Sequence, residues 1–152
     1  MTQRILIRFA LAEERQALEA LQWRASLPNE AYRDLLLAHL DAITLPLAQI
    51  EAHQVVVAEI DDRVVGFAAI APRDDGDIDL DGLFVEPDAW KSGIGTGLVQ
   101  RCRQLAIKAG AGALMVVANP QALGFYHSCG FVVIGTTQTR FGAGTLMRLA
   151  LA

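Results

Sequence analysis

The sequence predicts an α+β fold built around a mixed β-sheet. Two β-branched runs at 55–60 and 64–70 flank the polar residues 61–63, which is typical of a β-hairpin. A glycine-rich turn at 93–97 leads into a helical pattern, and the continuous apolar run at 113–118 is typical of a strand covered on both faces. Strands followed by alternating helices and strands favour helices packed on one sheet.

The N-terminal part is predicted to form one strand and two helices. Apolar residues at 5–9 predict the strand, and apolar positions between 11 and 25 recur at helical spacing. Leu27-Pro28-Asn29 ends that helix, and a second helical pattern runs over 32–43 before Pro46.

The remaining part is predicted to add strands and two helices. Alternation at 77–81 continues into 83–85 as a third antiparallel strand. One helix follows the glycine-rich turn as far as Ala109, and a short one begins at Asn119, a good N-cap before Pro120. The last two strands are expected at 131–137 and 145–151, with a loop at 140–144 between them.

Length and charge restrict the function. The 152 residues fit one domain, 1–152, with 13 Lys and Arg against 17 Asp and Glu, a net charge of −4. This acidic balance argues against nucleic acid and anionic membrane as partners. Cys102 and Cys129 lack metal-ligand spacing, so neither a disulfide scaffold nor a zinc site is expected, and a reducing cytoplasm is the expected location.

The glycine-rich turn predicts an anion site. A strand that ends in a glycine turn and a helix start directs free backbone N–H groups at one point, which favours a pyrophosphate. Leu98 and Gln100 stand where a dinucleotide motif needs glycine, and the phosphate-loop spacing is also absent. The structural alternative is a tight turn that binds nothing.

Segments on both sides of this turn resemble the GNAT N-acetyltransferase superfamily. They are Leu83-Phe84-Val85-x-Pro87, Gly93-Ile94-Gly95-Thr96 and Asn119-x-x-Ala122-x-x-Phe125-Tyr126-x-x-x-Gly130-Phe131. The resemblance implies a three-layer α/β/α arrangement, with a mixed, mostly antiparallel central sheet flanked by about four helices. It also implies acetyl-CoA as cosubstrate and N-acetyl transfer to a primary amine by direct attack in a ternary complex.

The resemblance also assigns cofactor-binding residues. Backbone groups of Leu83, Phe84 and Val85 are expected to bind the pantetheine arm, with an N–H near Val85 stabilising the oxyanion. The pyrophosphate is expected on the loop, and Asn119 and Tyr126 belong to the same set; the loop residues are Lys91, Ser92, Gly93, Ile94, Gly95 and Thr96. Trp90 stands where the family usually has Gln or Arg, and Lys91 supplies a charge beside it.

Tyr126, Asp79 and Asp81 are the expected catalytic residues. The resemblance makes Tyr126 the acid that protonates the departing thiolate, whereas an aromatic on a helix more often packs in a core. Clustered carboxylates attract an ammonium and can accept its proton. The resemblance implies an acidic base on this strand, and the offset from the glycine loop puts Asp79 nearest to that family position, with Asp81 next. The alternative is a solvated acidic face.

Two other functions are compatible with the sequence. The same scaffold without turnover would be an acyl-CoA-binding sensor. The spacing Asp77-x-Asp79-x-Asp81-Gly82-x₅-Asp88 also fits a calcium loop, although the flanking pattern is not helical and Pro87 interrupts it.

The sequence also leads to expectations about the acceptor and the oligomeric state. We expect a small-molecule or peptide amine in a site lined by Trp23, Tyr32, His39 and the loop 140–144. An exposed last strand could pair with a second copy to form a homodimer.

Overall fold

The computed structural model describes residues 4–140 and 142–151, without the side chains of 30–32. Its strands are β1 (Leu6–Phe9), β2 (Val55–Ile60), β3 (Arg63–Pro72), β4 (Ile78–Val85), β5 (Ala113–Ala118), β6 (Val132–Thr139) and β7 (Gly142–Ala150). Its α-helices are α1 (Arg15–Ser26), α2 (Glu30–Ala38), α3 (Leu47–Glu51), α4 (Ile94–Lys108) and α5 (Leu123–Ser128).

All seven strands form one sheet in the order β1-β2-β3-β4-β5-β7-β6. Every neighbouring pair is antiparallel except β4 and β5, which are parallel. The expected mixed, mostly antiparallel sheet is therefore confirmed. The β2–β3 hairpin turns at Asp61 and Asp62, whose φ angles of 51° and 64° suit a tight hairpin turn.

Two apolar clusters cover the two faces of the sheet. Val55 and Val57 of β2 pack in a cluster with Leu18 and Leu21 of α1. Their alternate neighbours in β2 pack instead in a cluster that contains Leu98 and other residues of α4. Because successive side chains of a strand point to opposite faces, α1 and α4 lie on opposite sides of the sheet. The layers are therefore helix, sheet and helix.

The helices on the α1 side differ from the expectation. The second helix ends at Ala38, and a separate 3₁₀ turn (Leu40–Ala42) occupies most of its expected end. The five-residue α3 was not predicted, because one buried residue, Ile50, gives too little periodicity to detect. Residues 4–140 and 142–151 thus contain five α-helices where about four were expected.

The C-terminal hairpin is also longer than expected. β7 begins at Gly142, so residues 142–144, assigned to a loop, belong to the strand. Gly144 pairs with Thr137 there, and an added Cβ would collide with Val117. Glycine at this position allows close approach of neighbouring backbone, which a sequence pattern reports only as a break. In the part of the chain that is described, no helix has the length and apolarity to cross a membrane.

β4 and β5 separate soon after they meet. Their pairing is limited to Ile78 with Leu114 and Asp79 with Met115. β4 nevertheless stays paired with β3 as far as Val85, with a bulge at Asp81. A gap therefore opens in the middle of the sheet, beside the second half of β4.

Candidate active site

The open edge of β4 is formed by backbone groups. The amide of Glu86 donates to the carbonyl of Val65 on β3 at 2.8 Å, so this residue faces β3. Because backbone groups of successive strand residues point to opposite sides, those of Leu83 and Val85 point away from β3 into the gap. An extended molecule with amide groups can pair with this edge as a neighbouring strand would.

A cavity of about 870 Å³ lies along that edge. Its described lining comes from β4, the β4–α4 loop, the start of α4, the α5 region and the α1–α2 turn: Ala25, Pro28, Asn29, Leu83, Val85, Ala89, Trp90, Lys91, Gly93, Ile94, Gly95, Thr96, Asn119, Gln121, Ala122, Phe125 and Tyr126. Most of the residues expected to bind a cofactor therefore share one cavity. Phe84 and Ser92 are not in this lining.

The start of α4 presents free N–H groups to the cavity. Gly93 caps the helix with φ of 84°, and the first helical hydrogen bond runs from the amide of Gly97 to the carbonyl of Gly93. The N–H groups of Ile94, Gly95 and Thr96 precede that bond and have no helical partner. A Cβ on Gly95 would lie 3.1 Å from the ring of Phe125, so glycine permits close packing of α5 here. This helix start suits an anion.

Trp90 connects the loop to β4. Its indole Nε1 donates to the backbone carbonyl oxygen of Val85 at 2.8 Å, while 50% of the residue stays exposed. The sequence identified Trp90 only as a departure from the family pattern. Nothing in the sequence indicated this contact, because it depends on how the loop folds back.

Glu86 fixes the start of the β4–α4 loop to α1 and β3. It is buried, and its carboxylate accepts hydrogen bonds from Arg24 of α1 at 2.8 Å and from Arg63 of β3 at 3.2 Å. Arg63 also contacts Asp88 at 3.2 Å. No sequence pattern indicates this cluster, since its members lie far apart in the chain.

Tyr126 lies where the large cavity meets a smaller one. Its ring is buried, edge-on to Phe125 and Phe131 at centroid distances of 5.2 and 5.5 Å. Burial raises the pKa of the Tyr126 phenol above its usual value, so the hydroxyl keeps its proton. The hydroxyl makes no hydrogen bond to the described residues, and it is not sealed from solvent. It is therefore free to donate to a bound molecule.

Asn119 acts first as a helix cap. Its Oδ1 accepts from the amide of Ala122 at 3.0 Å, as expected from the Asn-Pro pair. It also lines both cavities, together with Leu83, Ala122 and Tyr126. These residues form the passage between the two spaces.

The smaller cavity, about 270 Å³, holds Asp81. Its described lining is Leu80, Asp81, Gly82, Leu83, Phe84, Val116, Val117, Ala118, Asn119, Ala122, Tyr126, Thr139 and Gly144. Gln49 approaches the Asp81 carboxylate at 3.4 Å. Asp79 is outside this lining, and its carboxylate binds Arg73 at 2.8 Å. The structure therefore brings Asp81, rather than Asp79, together with Tyr126.

The expected acceptor residues are distributed differently. Trp23 and His39 are in neither described lining, and the side chain of Tyr32 lies outside the described residues. The α1–α2 turn lines the larger cavity. From the C-terminal hairpin, Thr139 and Gly144 line the smaller cavity, and Arg140 binds Asp41 at 3.0 Å.

The calcium-loop geometry is not formed. Most of the segment with that spacing is β4, which is paired with β3, whereas a calcium loop lies between two helices. Within 4–140 and 142–151, no three His, Cys, Asp or Glu side chains are grouped to hold a metal ion.

Comparison with known sequences agrees with this geometry. The model of the acetyltransferase (GNAT) family matches residues 12–131. The peptidyl-lysine N-acetyltransferase YjaB of Salmonella typhimurium is 33% identical over 140 residues, 88% of each chain. The uncharacterized N-acetyltransferase Rv2669 of Mycobacterium tuberculosis is 34% identical over 94 residues, so the match spans 59% of that protein's length and 59% of this chain.

Solved structures share the fold. The PaiA N-acetyltransferase of Thermoplasma acidophilum, in complex with coenzyme A, matches with a TM-score of 0.81 and 19% identity, over 97% of this chain and 99% of that one. YncA of Salmonella typhimurium, solved with acetyl-CoA, matches with a TM-score of 0.76 and 24% identity, over 98% of this chain and 95% of that one. At these identities the likeness concerns the fold.

Proposed function

The chain belongs to the acetyltransferase (GNAT) family, and we propose that it transfers the acetyl group of acetyl-CoA to a primary amine by direct attack, with both substrates bound at once. The observation that carries the proposal is the position of Tyr126. Its free, protonated hydroxyl lies between a large cavity edged by backbone groups and a small cavity that holds a carboxylate.

The larger cavity fits acetyl-CoA. The pantetheine arm is an extended chain with two amides, which match the backbone groups of Leu83 and Val85 that point away from β3 into the gap. The pyrophosphate matches the free N–H groups at 94–96, and Lys91, which is exposed at the cavity wall, adds positive charge. Phe84 contributes on the other face of β4, where its ring packs on Phe67 at 5.4 Å.

The side chains around the passage supply proton transfers. Acetyl-CoA provides an acetyl group activated as a thioester. Asp81 accepts a proton from the substrate ammonium, directly or through water, which leaves a neutral amine as nucleophile. A backbone N–H of the β4 edge near Val85 donates to the acetyl oxygen as negative charge develops there. Tyr126 donates its proton to the sulfur as the C–S bond breaks, and the second proton that the nitrogen loses on becoming an amide restores the phenol, directly or through water.

We propose a lysine side chain of a peptide as the first acceptor to test. The peptidyl-lysine N-acetyltransferase YjaB is the relative that matches most of both chains among those above. The small cavity has one carboxylate beside apolar side chains such as Val116 and Val117, a combination that suits an unbranched alkyl ammonium. A small-molecule amine of the same shape would occupy the same space.

The experiment has two stages. Purified protein is titrated calorimetrically with acetyl-CoA, and CoA release is then followed with a lysine peptide, with the same peptide acetylated on its lysine as control. Micromolar binding and lysine-dependent CoA release support the proposal. Binding without release for lysine peptides, diamines and amino acids favours the acyl-CoA sensor, and no binding to folded protein contradicts both.

We also propose a cytoplasmic location and the pairing of two copies of the chain. Cys102 and Cys129 are free thiols, which suits a reducing cytoplasm. The last strand of the chain, β7, lies between β5 and β6, so β6 rather than β7 is at this edge of the sheet. Val132, Val133 and Ile134 on β6 are exposed, which suits pairing with a second copy. A dimer by light scattering that dissociates on Val133→Lys supports this pairing, and a monomeric parent contradicts it.

A further inference from the structure

The β4–α4 loop is held firmly at its two ends. At its start, the amide of Glu86 pairs with β3, and its buried carboxylate binds Arg24 and Arg63. At its end, Ile94 is buried at 1% exposure beneath the first turn of α4. Both ends are therefore fixed to the core.

The middle of the loop has few contacts with the sheet. Trp90, Lys91, Ser92 and Gly93 are all exposed. Lys91 has a φ of 67° and Gly93 a φ of 84°, so two left-handed residues lie close together. The Ser92 hydroxyl donates within the loop, to the carbonyl of Ala89. The indole of Trp90 reaches out of it, to the carbonyl of Val85 on β4.

We propose that Trp90 is a positioning residue of the cofactor site, which holds the phosphate loop in register with the pantetheine edge of β4. This inference rests on the proposed function. The indole N–H bridges the strand end and the loop, the two parts of the cavity that one cofactor must contact at once. A carbonyl oxygen has two acceptor sites, so Val85 can bind the indole and still face the gap.

The proposal predicts a selective effect of Trp90→Phe, which keeps an aromatic ring and removes the N–H. Affinity for acetyl-CoA should fall about fivefold, the size of one ordinary hydrogen bond. Affinity for acetyl-pantetheine, which lacks the pyrophosphate and the nucleotide, should change less than about twofold, because that ligand does not bridge the two parts.

Calorimetry gives the acetyl-CoA affinity, and competition against acetyl-CoA gives that of acetyl-pantetheine. Trp23→Phe is the matched control, since Trp23 is half-buried on α1 and outside both described linings. It should leave both affinities unchanged. Thermal unfolding of each variant checks that the fold is kept.

The other outcomes would overturn the proposal. Equal losses of affinity for both ligands would mean that the indole acts on β4 alone. Unchanged affinities would mean that the indole only packs against the loop. Tighter acetyl-CoA binding would mean that the indole competes with the cofactor. These three outcomes leave the proposed function intact, because the parent protein still binds acetyl-CoA. A parent protein that binds no acetyl-CoA would overturn the proposed function together with the role of Trp90.

A second measurement follows the indole N–H of Trp90 in the parent protein, so its result does not depend on the fold of a variant; variants serve only to assign the signal. The indole N–H proton of Trp90 is observed by NMR, assigned by its loss in Trp90→Phe or by labelled Trp with Trp23→Phe. Saturation with CoA should slow its exchange with water if the bond to Val85 is kept in the complex. Faster exchange would show that the cofactor displaces the indole and would overturn the proposal.

Discussion

The two cavities that meet at Tyr126 are built in different ways. The larger one offers mainly backbone groups, from the open edge of β4 and the first turn of α4. The smaller one depends on a few side chains, Asp81 and Tyr126 above all. A backbone site tolerates an unusual side chain such as Trp90, whereas a side-chain site changes its chemistry with one substitution. The following variants test that difference.

Tyr126→Phe should have the largest effect. Loss of the proton donor should lower kcat by about 10³-fold. Acetyl-CoA affinity should stay within about twofold, because the backbone contacts are kept. A CoA-release assay measures kcat, and calorimetry measures the acetyl-CoA affinity. A variant that keeps most of its kcat would remove Tyr126 from the reaction.

Asp81→Asn should lower kcat/KM for the amine by about 10²-fold at pH 7, with unchanged acetyl-CoA affinity. The loss of kcat/KM should become smaller towards pH 9. An alkyl amine has a pKa of about 10.4, so a larger fraction of it is already neutral at that pH. The raised pKa of Tyr126 keeps the acid protonated over this range.

The matched control is Asp79→Asn, since Asp79 is on the same strand as Asp81 but is paired with Arg73 of the β3–β4 turn. It should leave kcat/KM nearly unchanged at both pH values. If Asp79→Asn gives the larger loss, the base has been assigned to the wrong carboxylate.

Gly93→Asp should weaken acetyl-CoA by about tenfold through repulsion of the pyrophosphate. Gly93→Ala is the control, because it shares the strain at φ of 84° without adding charge. Calorimetry should show a smaller loss for alanine and little change in acetyl-pantetheine affinity for either variant. Equal losses for alanine and aspartate would mean that loop conformation, rather than charge, decides the affinity.

Asp41→Asn should have the smallest effect. Arg140 holds the pKa of this exposed carboxyl below its usual value and ties the turn after α2 to the C-terminal hairpin. Because the pair is exposed, its loss should raise the amine KM by about twofold at low salt and less at 0.5 M salt. A change in acetyl-CoA affinity would contradict the division between the two cavities.

Patterns within one element were predictable from the sequence. β2 and β5 were predicted with their observed ends, because β-branched and continuous apolar runs end at polar or turn residues. The glycine turn and the Asn-Pro cap were also predictable, since each is a local requirement of the backbone.

Side-chain contacts between distant elements were not predictable. The offset from the glycine loop ranked Asp79 ahead of Asp81, whereas the bulge in β4 at Asp81 and the ion pair of Asp79 with Arg73 reverse that order. Trp23 was expected to line the acceptor site, whereas Pro28 and Asn29 in the turn after α1 line the larger cavity, because the position of this turn depends on tertiary packing. The contact of Trp90 with Val85 likewise follows from the folded loop.

The gap between β4 and β5 also bears on unwanted association. A strand edge with free backbone groups normally invites pairing with another chain, and proteins protect such edges with charges, bulges or covering segments. Here the free edge lies inside the sheet, walled by the α1–α2 turn, the β4–α4 loop and α5. A slender chain with amide groups can reach it, and the broad edge of a second sheet cannot. The fold thus keeps an adhesive surface without exposing it to aggregation.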